Sequence, residues 1–250
     1  MTAWGKINVF NYYNLNRDKI EDLYKSEKKL LDLINKKEIK SVLDYGCATG
    51  NFYKIFQKYF GKVNYLGIDQ EKILIKKARK KYKAKFIVNN KLNKKIIKNC
   101  KFDLTFCTSV LHHIKNYKNI IRNLIKLSSS YIFIDSPRIH LSKFSVLKMN
   151  LSERFKSNQK KNIVKYYVEN VENYLNFLKK EFKKNNIKEV VFYAGELKYS
   201  EEYLNFNNKI FFLTILIKKN NNLKNYNNKI KYKIIANNKR LKNIFLKILI

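Results

Sequence analysis

The chain has 250 residues, enough to bury a full core, and its 45% apolar and 14% aromatic content excludes a disordered or purely solvating protein. Its net charge of +35 comes almost entirely from Lys, because only six Arg occur, and with abundant Asn, Ile and Tyr this is the usage AT-rich codons produce, so charge alone does not identify a nucleic-acid binder. The longest apolar run, residues 210–217, is well short of the roughly 18 residues a bilayer-spanning helix needs.

From the N-terminus, residues 17–37 set Ile20, Leu23, Tyr24, Leu30, Leu31 and Ile34 on one face at helical spacing and predict an amphipathic helix. Residues 41–45 predict a short strand ending in a glycine-rich turn. Further strands are predicted at 63–68, 85–88, 104–107 and 131–135, with helices at 49–60, 71–82 and 114–127. Strands separated by helices of about ten residues are βαβ units, whose crossovers make neighbouring strands parallel. The expected architecture is an open, doubly wound α/β sheet with helices on both faces. Such sheets bind ligands at the carboxyl ends of their strands, near the point where strand order reverses.

After Pro137, about fifty polar residues predict mostly helix, including 165–184, before β-rich segments at 189–194 and 209–218. Residues 203–250 hold ten Lys, one Arg and no acid. Within them Ile230, Tyr232 and Ile234 alternate as in a strand, and Leu241, Ile244, Phe245, Ile248 and Leu249 form a helical stripe. That stripe is expected to pack back onto the domain, with peripheral contact to a membrane surface as the alternative. The first residues lack a signal-peptide pattern, and Cys47, Cys100 and Cys107 show neither zinc nor disulfide spacing. A cytoplasmic location with reduced thiols and no metal is expected.

The strongest chemical signal is VLDYGCATGNF, residues 42–52: a strand, an acid at its end, and small residues at Gly46, Ala48 and Gly50 that open a helix. Small residues let backbone approach a ligand, and the helix start offers unpaired N–H groups. A nicotinamide-binding loop needs a third glycine three residues on, where this chain has Asn51. Asp44, two residues before Gly46, suits a cationic ligand better than a diphosphate. Asp69 ends the second strand nineteen residues after Gly50, where a carboxylate accepts hydrogen bonds from both ribose hydroxyls of a nucleoside.

In DYGCATG, LGIDQ and FDLTFCTSVLHHI, in that order and spacing, the chain resembles the class I S-adenosylmethionine-dependent methyltransferases, in particular their small-molecule branch, over about residues 30–137. The resemblance implies a Rossmann-like, mostly parallel seven-stranded sheet whose last strand is antiparallel, with 189–194 and 209–218 as strands six and seven. It implies S-adenosyl-L-methionine as cofactor. Asp44, Gly46, Cys47, Ala48 and Gly50 would then lie along its amino-acid part and sulfonium, Asp69 would hold the ribose, and Gln70 and Asn90 would adjoin the adenine. Ser109 would line the methionine side. Two departures stand out: Asn89 and Asn90 replace the usual acid after strand three, and Ser128, Ser129 and Ser130 replace a Pro-Gly-Gly turn.

His112 and His113 follow strand four, where an imidazole can deprotonate an attacking hydroxyl or amine; capping or packing roles are the alternative for each. Trp4, Tyr12 and Tyr13 are candidates for a lid over the acceptor, and Arg138, which with Asp135 flanks Ser136-Pro137, for an anionic acceptor group, against anchoring and ion-pair roles; Glu196 is a weaker candidate. The chain divides into a methyltransferase domain over 1–219, with a helical N-terminal cap at 1–37 and a helical insertion at 138–188 over the acceptor site, and a basic tail at 220–250. The leading expectation is methyl transfer to oxygen or nitrogen of a small metabolite, lipid precursor or glycan. RNA methylation and a non-catalytic scaffold are the alternatives.

Overall fold

The structure, a computed structural model, describes Trp4 and residues 17–89, 92, 100–151, 163–197, 209–220 and 229–250. The first five strands are β1 (Ser41–Tyr45), β2 (Asn64–Asp69), β3 (Lys85–Val88), β4 (Phe102–Cys107) and β5 (Ser128–Asp135). Helices α2 (Asn51–Phe60), α3 (Lys72–Lys81) and α4 (Tyr117–Leu127) alternate with them, after a short α1 (Lys25–Leu31). β4 and β5 are buried over nearly their whole lengths, as expected of parallel strands covered on both faces.

The remaining elements are β6 (Arg138–His140), β7 (Ser145–Asn150), β8 (Ile163–Asn170), α5 (Val171–Lys184), β9 (Ile187–Glu196), β10 (Phe211–Lys219), β11 (Lys231–Ala236) and α6 (Lys239–Leu249). The main path of the sheet runs β3-β2-β1-β4-β5-β10, and β9 closes it on the far side of β10. β10 is antiparallel to both β5 and β9. These seven strands are the expected sheet with its antiparallel seventh strand. β11 adds an eighth, parallel to β9.

Alternate strand residues feed two cores. Leu43, Tyr45, Ile132 and Ile134 face α4, α5 and α6; Val42, Leu104, Tyr131 and Phe133 face α1, α2 and α3. The stripe Tyr117, Ile120, Ile121, Leu124 and Ile125 shows why α4 forms where it does: its apolar positions fall on one face.

Three expectations change. The amphipathic segment 17–37 is not one helix: it contains a 3-10 turn at Ile20–Asp22, α1, and a second 3-10 turn at Lys36–Glu38. Glu27 accepts the Tyr24 backbone N–H and Asn35 accepts that of Lys37, so side chains that satisfy local N–H groups start each piece anew. The span 138–188 is not a helical insertion but three strands and one helix. β6, β8 and β7 form an annex branching from β10 through the pair Phe211 and Ile139. Val164, Tyr166 and Val168 alternate into their own small core, and Asn170 caps α5 by accepting from Asn173 N–H at 3.0 Å. Finally, the basic segment beyond 219 is not a separate tail: its stripe packs back onto the domain, as expected, and its strand joins the sheet. β11 extends the sheet, and Leu241, Phe245 and Leu249 of α6 are buried, with Phe245 set edge-on to Phe192 at 5.1 Å. The apolar stripe considered for a membrane surface is therefore largely turned inward. No helix among the described residues is long and apolar enough to cross a membrane.

Candidate active site

Strand order reverses between β1 and β4, so the turns after these strands face each other across the opening of the sheet. After β1, Gly46 has φ +80° and Gly50 has φ +77°. A Cβ on Gly46 would stand 2.2 Å from Cγ2 of Val110 in the turn after β4, so glycine is required both by its conformation and by the close approach of the two turns. Ala48 (φ 47°) and Ser109 (φ 57°) also take the left-handed conformation that residues with a Cβ resist. Each is held there by a specific bond. Ala48 N–H donates to Asp69 Oδ2 at 2.9 Å, and Ser109 N–H donates to Asp135 Oδ2 at 3.3 Å while its hydroxyl accepts from Arg17 Nη1 at 3.3 Å.

Two carboxylates define the electrostatics. Asp44, at the end of β1, is 2% exposed, and burial pushes its carboxyl up to about 7, with Asp69 adding to the rise. The Tyr65 hydroxyl, which donates to Asp44 Oδ2 at 2.6 Å, and the Arg17 guanidinium pull the other way. Asp69 is also raised, by burial, against the backbone N–H groups of Ala48 and Glu71 that it accepts. Each of its oxygens accepts one of these, leaving lone pairs for a ligand. Burial lifts the Cys47 thiol well above its ordinary range, so it is a neutral, small wall residue.

A cavity of about 770 Å³ opens from this turn. Gly46, Ala48, Asp69, Gln70 and Asn89 line one part of it; Ser109, His113, Lys115, Val164, Lys165 and Trp4 line another. A smaller space of about 40 Å³ adjoins it, walled by Arg17, Asp44, Cys47, Thr49 and Ser109. The Thr49 hydroxyl there is fully buried without a hydrogen-bond partner among the described residues. Asn51, where a dinucleotide loop carries glycine, is instead tied to the end of α3: its Oδ1 accepts from Lys81 Nζ at 3.1 Å and the Tyr82 hydroxyl at 3.2 Å.

The two histidines separate. His112 is 3% exposed, packs against Tyr166 at 4.8 Å between ring centres, and is not part of the cavity wall. His113 lines the cavity, its Nδ1 lies 3.1 Å from the Lys165 carbonyl oxygen, and Trp4 meets its ring edge-on at 4.8 Å. Arg138 does not face the cavity and is corrected as an acceptor ligand. It is 8% exposed, forms a buried ion pair with Asp135 at 3.2 Å, and donates from Nε to the Tyr166 hydroxyl at 2.8 Å. Sealing an unpaired guanidinium inside the fold would be prohibitive, so its neighbours neutralise it. Glu196 pairs at the surface with Lys209. Asn90, Tyr12 and Tyr13 lie outside the described residues.

Arg17 and Thr49 are site residues that sequence reasoning missed. Arg17 reads in the sequence as the first residue of an amphipathic helix. In the fold it is buried, pairs with Glu27 through a short contact, and lies over the rings of Tyr24 and Phe52 at 4.8 and 5.0 Å. Among the described residues no cluster of three or more His, Cys, Asp or Glu is arranged to hold a metal ion.

Residues 36–171 match a family described as a methyltransferase domain, more than half of the chain. No curated protein matches the chain. Among solved structures, the fold is similar to the N-terminal domain of EvdMO1 with SAH bound (TM-score 0.56, 9% identity, 84% of this chain and 85% of that one). It is similar also to the O-methyltransferase from a trans-AT PKS multienzyme of Brevibacillus brevis in complex with S-adenosyl-L-homocysteine (TM-score 0.55, 12% identity, 97% and 91%). A third is the plantazolicin methyltransferase BamL in complex with a triazolic desmethylPZN analog and SAH (TM-score 0.54, 18% identity, 87% and 93%). The lining fits S-adenosylmethionine, the methyl donor whose product is bound in those three structures. The glycine cradle admits no Cβ, an acid of raised pKa faces a small polar space, a second acid with spare lone pairs ends β2, and a buried hydroxyl awaits a partner. With the family match, the switch-point cleft and this lining in agreement, the chain belongs to the class I S-adenosylmethionine-dependent methyltransferases.

Proposed function

We propose that the protein methylates an oxygen or nitrogen of a small-molecule acceptor bound in the 770 Å³ cavity, with His113 as general base. S-adenosylmethionine supplies a methyl group already activated by its sulfonium charge. On this reading Asp69 accepts the ribose hydroxyls, while Gln70, Asn89 and Asn90 adjoin the adenine. Asp44, Gly46, Cys47, Ala48, Gly50 and Ser109 enclose the amino-acid end, with Asp44 opposite its positive charge. A base need only be well placed, because in-line positioning of the acceptor accounts for most of such a reaction.

The observation that carries the reading is the setting of His113. A carbonyl can only accept, so the 3.1 Å approach to Lys165 O makes Nδ1 the protonated nitrogen and leaves the basic lone pair on Nε2, on a ring that forms part of the cavity wall. The same carbonyl stabilises the ring once it has taken a proton. The O-methyltransferase and plantazolicin methyltransferase names among the similar folds support a small-molecule acceptor. RNA is the second reading, favoured by the net charge of +35.

The test is methyl transfer from labelled cofactor to a panel of small alcohols, phenols and amines, with His113→Asn beside the wild type. Loss of a general base lowers kcat by about 10² to 10⁴ and removes the acidic limb of the pH profile, with cofactor affinity unchanged. Undiminished turnover by His113→Asn overturns the role of His113.

A further inference from the structure

We infer that the acceptor is an aromatic hydroxy acid, an aryl ring carrying the methylated hydroxyl and, away from it, a carboxylate held by Lys165 and Lys115. This rests on the methyl-transfer reading above and narrows its substrate. The cavity is polarised along its length: its two described carboxylates, Asp69 and Glu71, both stand at the end of β2, whereas the wall formed by residues 113–116 and β8 contributes Lys115 and Lys165 and no acid.

Two described acids of the neighbouring strands are engaged elsewhere. Glu169 accepts the Tyr117 hydroxyl at 2.5 Å and pairs with Lys118 at 3.7 Å, and Asp135 is taken by Arg138. Neither Lys115 nor Lys165 has an ion-pair partner among the described residues. Two exposed cations without an ion-pair partner among the described residues therefore stand along one wall of the cavity, where their summed field favours an anion. A cationic acceptor would be repelled from the same place.

The aryl ring follows from the shape chemistry of that wall. Trp4 and His113 present an edge-to-face aromatic pair at 4.8 Å, continued by the side chains of Ile114 and Val164, a surface suited to a flat apolar ring. Base and cation also come from adjoining points of the chain, since the Lys165 carbonyl is the group that accepts the His113 Nδ1–H. A four-carbon stem separates the Lys165 ammonium from its backbone carbonyl, so a hydroxyl at His113 and a carboxylate at that ammonium would belong to separated positions on one ring.

Lys is abundant throughout the chain, so the test compares matched ligands as well as variants. Binding of 4-hydroxybenzoate and of its neutral counterpart 4-hydroxybenzamide is measured by calorimetry on the full chain with S-adenosylhomocysteine present. The proteins are the wild type, Lys115→Met/Lys165→Met, and the surface control Lys58→Met. The expected result is a carboxylate preference of about 5- to 10-fold in wild type and control, the yield of two partly exposed ion pairs. It falls to about one in the double variant, with S-adenosylhomocysteine affinity equal in all three. Equal affinity for the two ligands in wild type, binding of neither, or a preference that survives the double substitution overturns the inference. Methyl transfer to the same pair separates the two readings. Selective binding without methylation upholds the anion-binding wall and overturns methyl transfer at that hydroxyl, whereas methylation of the amide without carboxylate preference does the reverse.

Discussion

Asp44 should govern both stability and cofactor binding through its charge. Burial raises its carboxyl from 3.8 to about 7. A carboxyl raised in the folded state holds its proton more tightly there than in the unfolded chain. Its favourable contribution is therefore complete below pH 4 and is lost as pH rises through about 7. Three pH units at about 1.4 kcal/mol each make the loss about 4 kcal/mol. Asp44→Asn keeps the shape without the titration, so in urea unfolding the wild type should lose about this much relative to the variant between pH 4 and pH 8. A bound cation reverses the preference by stabilising the carboxylate. Affinity for S-adenosylmethionine should then rise about tenfold per pH unit from 5 to 7 and level off above, with about one proton released on binding at pH 6. Titration calorimetry in two buffers of different ionisation enthalpy measures that proton directly. A flat affinity profile between pH 5 and 7, or the same slope in Asp44→Asn, would refute the assignment of Asp44 to the cationic end of the cofactor.

Asp69→Ala removes the acceptor of the Ala48 and Glu71 N–H groups as well as the proposed ribose contact. Cofactor affinity should fall about 100-fold, two charge-assisted hydrogen bonds being worth roughly 3 kcal/mol, while circular dichroism shows a folded protein. Gly46→Ala sets a Cβ 2.2 Å from Val110 at φ +80°, and should lose cofactor binding and about 2 kcal/mol or more of stability; Gly46→Ala with Val110→Ala should recover part of both. Arg138→Met leaves the Asp135 carboxylate buried without its ion pair and should destabilise by about 3–5 kcal/mol in denaturant titration, an effect an exposed acceptor ligand would not show. If RNA is the acceptor, affinity for a structured RNA should fall steeply between 50 and 200 mM salt in calorimetry or gel shift, about 10³-fold or more for six phosphates contacted; small acceptors should show little of this.

Much of the geometry at the mouth of β1 and β2 was legible in the chain because its signals are local. The strand, acid and small-residue turn at 42–50 and the acid at 69 occupy consecutive or fixed positions, and their structure follows from backbone conformation and strand period. The parallel sheet followed from alternating strands and helices, and its antiparallel strand from the family resemblance. The annex escapes a sequence reading in which the polar stretch after Pro137 predicts helix over 165–184, although Val164, Tyr166 and Val168 alternate in β8. Partner choice among charged and ring side chains was decided only by the tertiary structure. Arg17 reaches Ser109 across 92 positions, Arg138 turns to Asp135 and Tyr166 instead of the cavity, and His113 rather than His112 meets Lys165 at the wall. Local periodicity reports which face of an element is buried. Which group neutralises a buried charge depends on desolvation and on contacts between segments distant in sequence, and these exist only once the chain has folded.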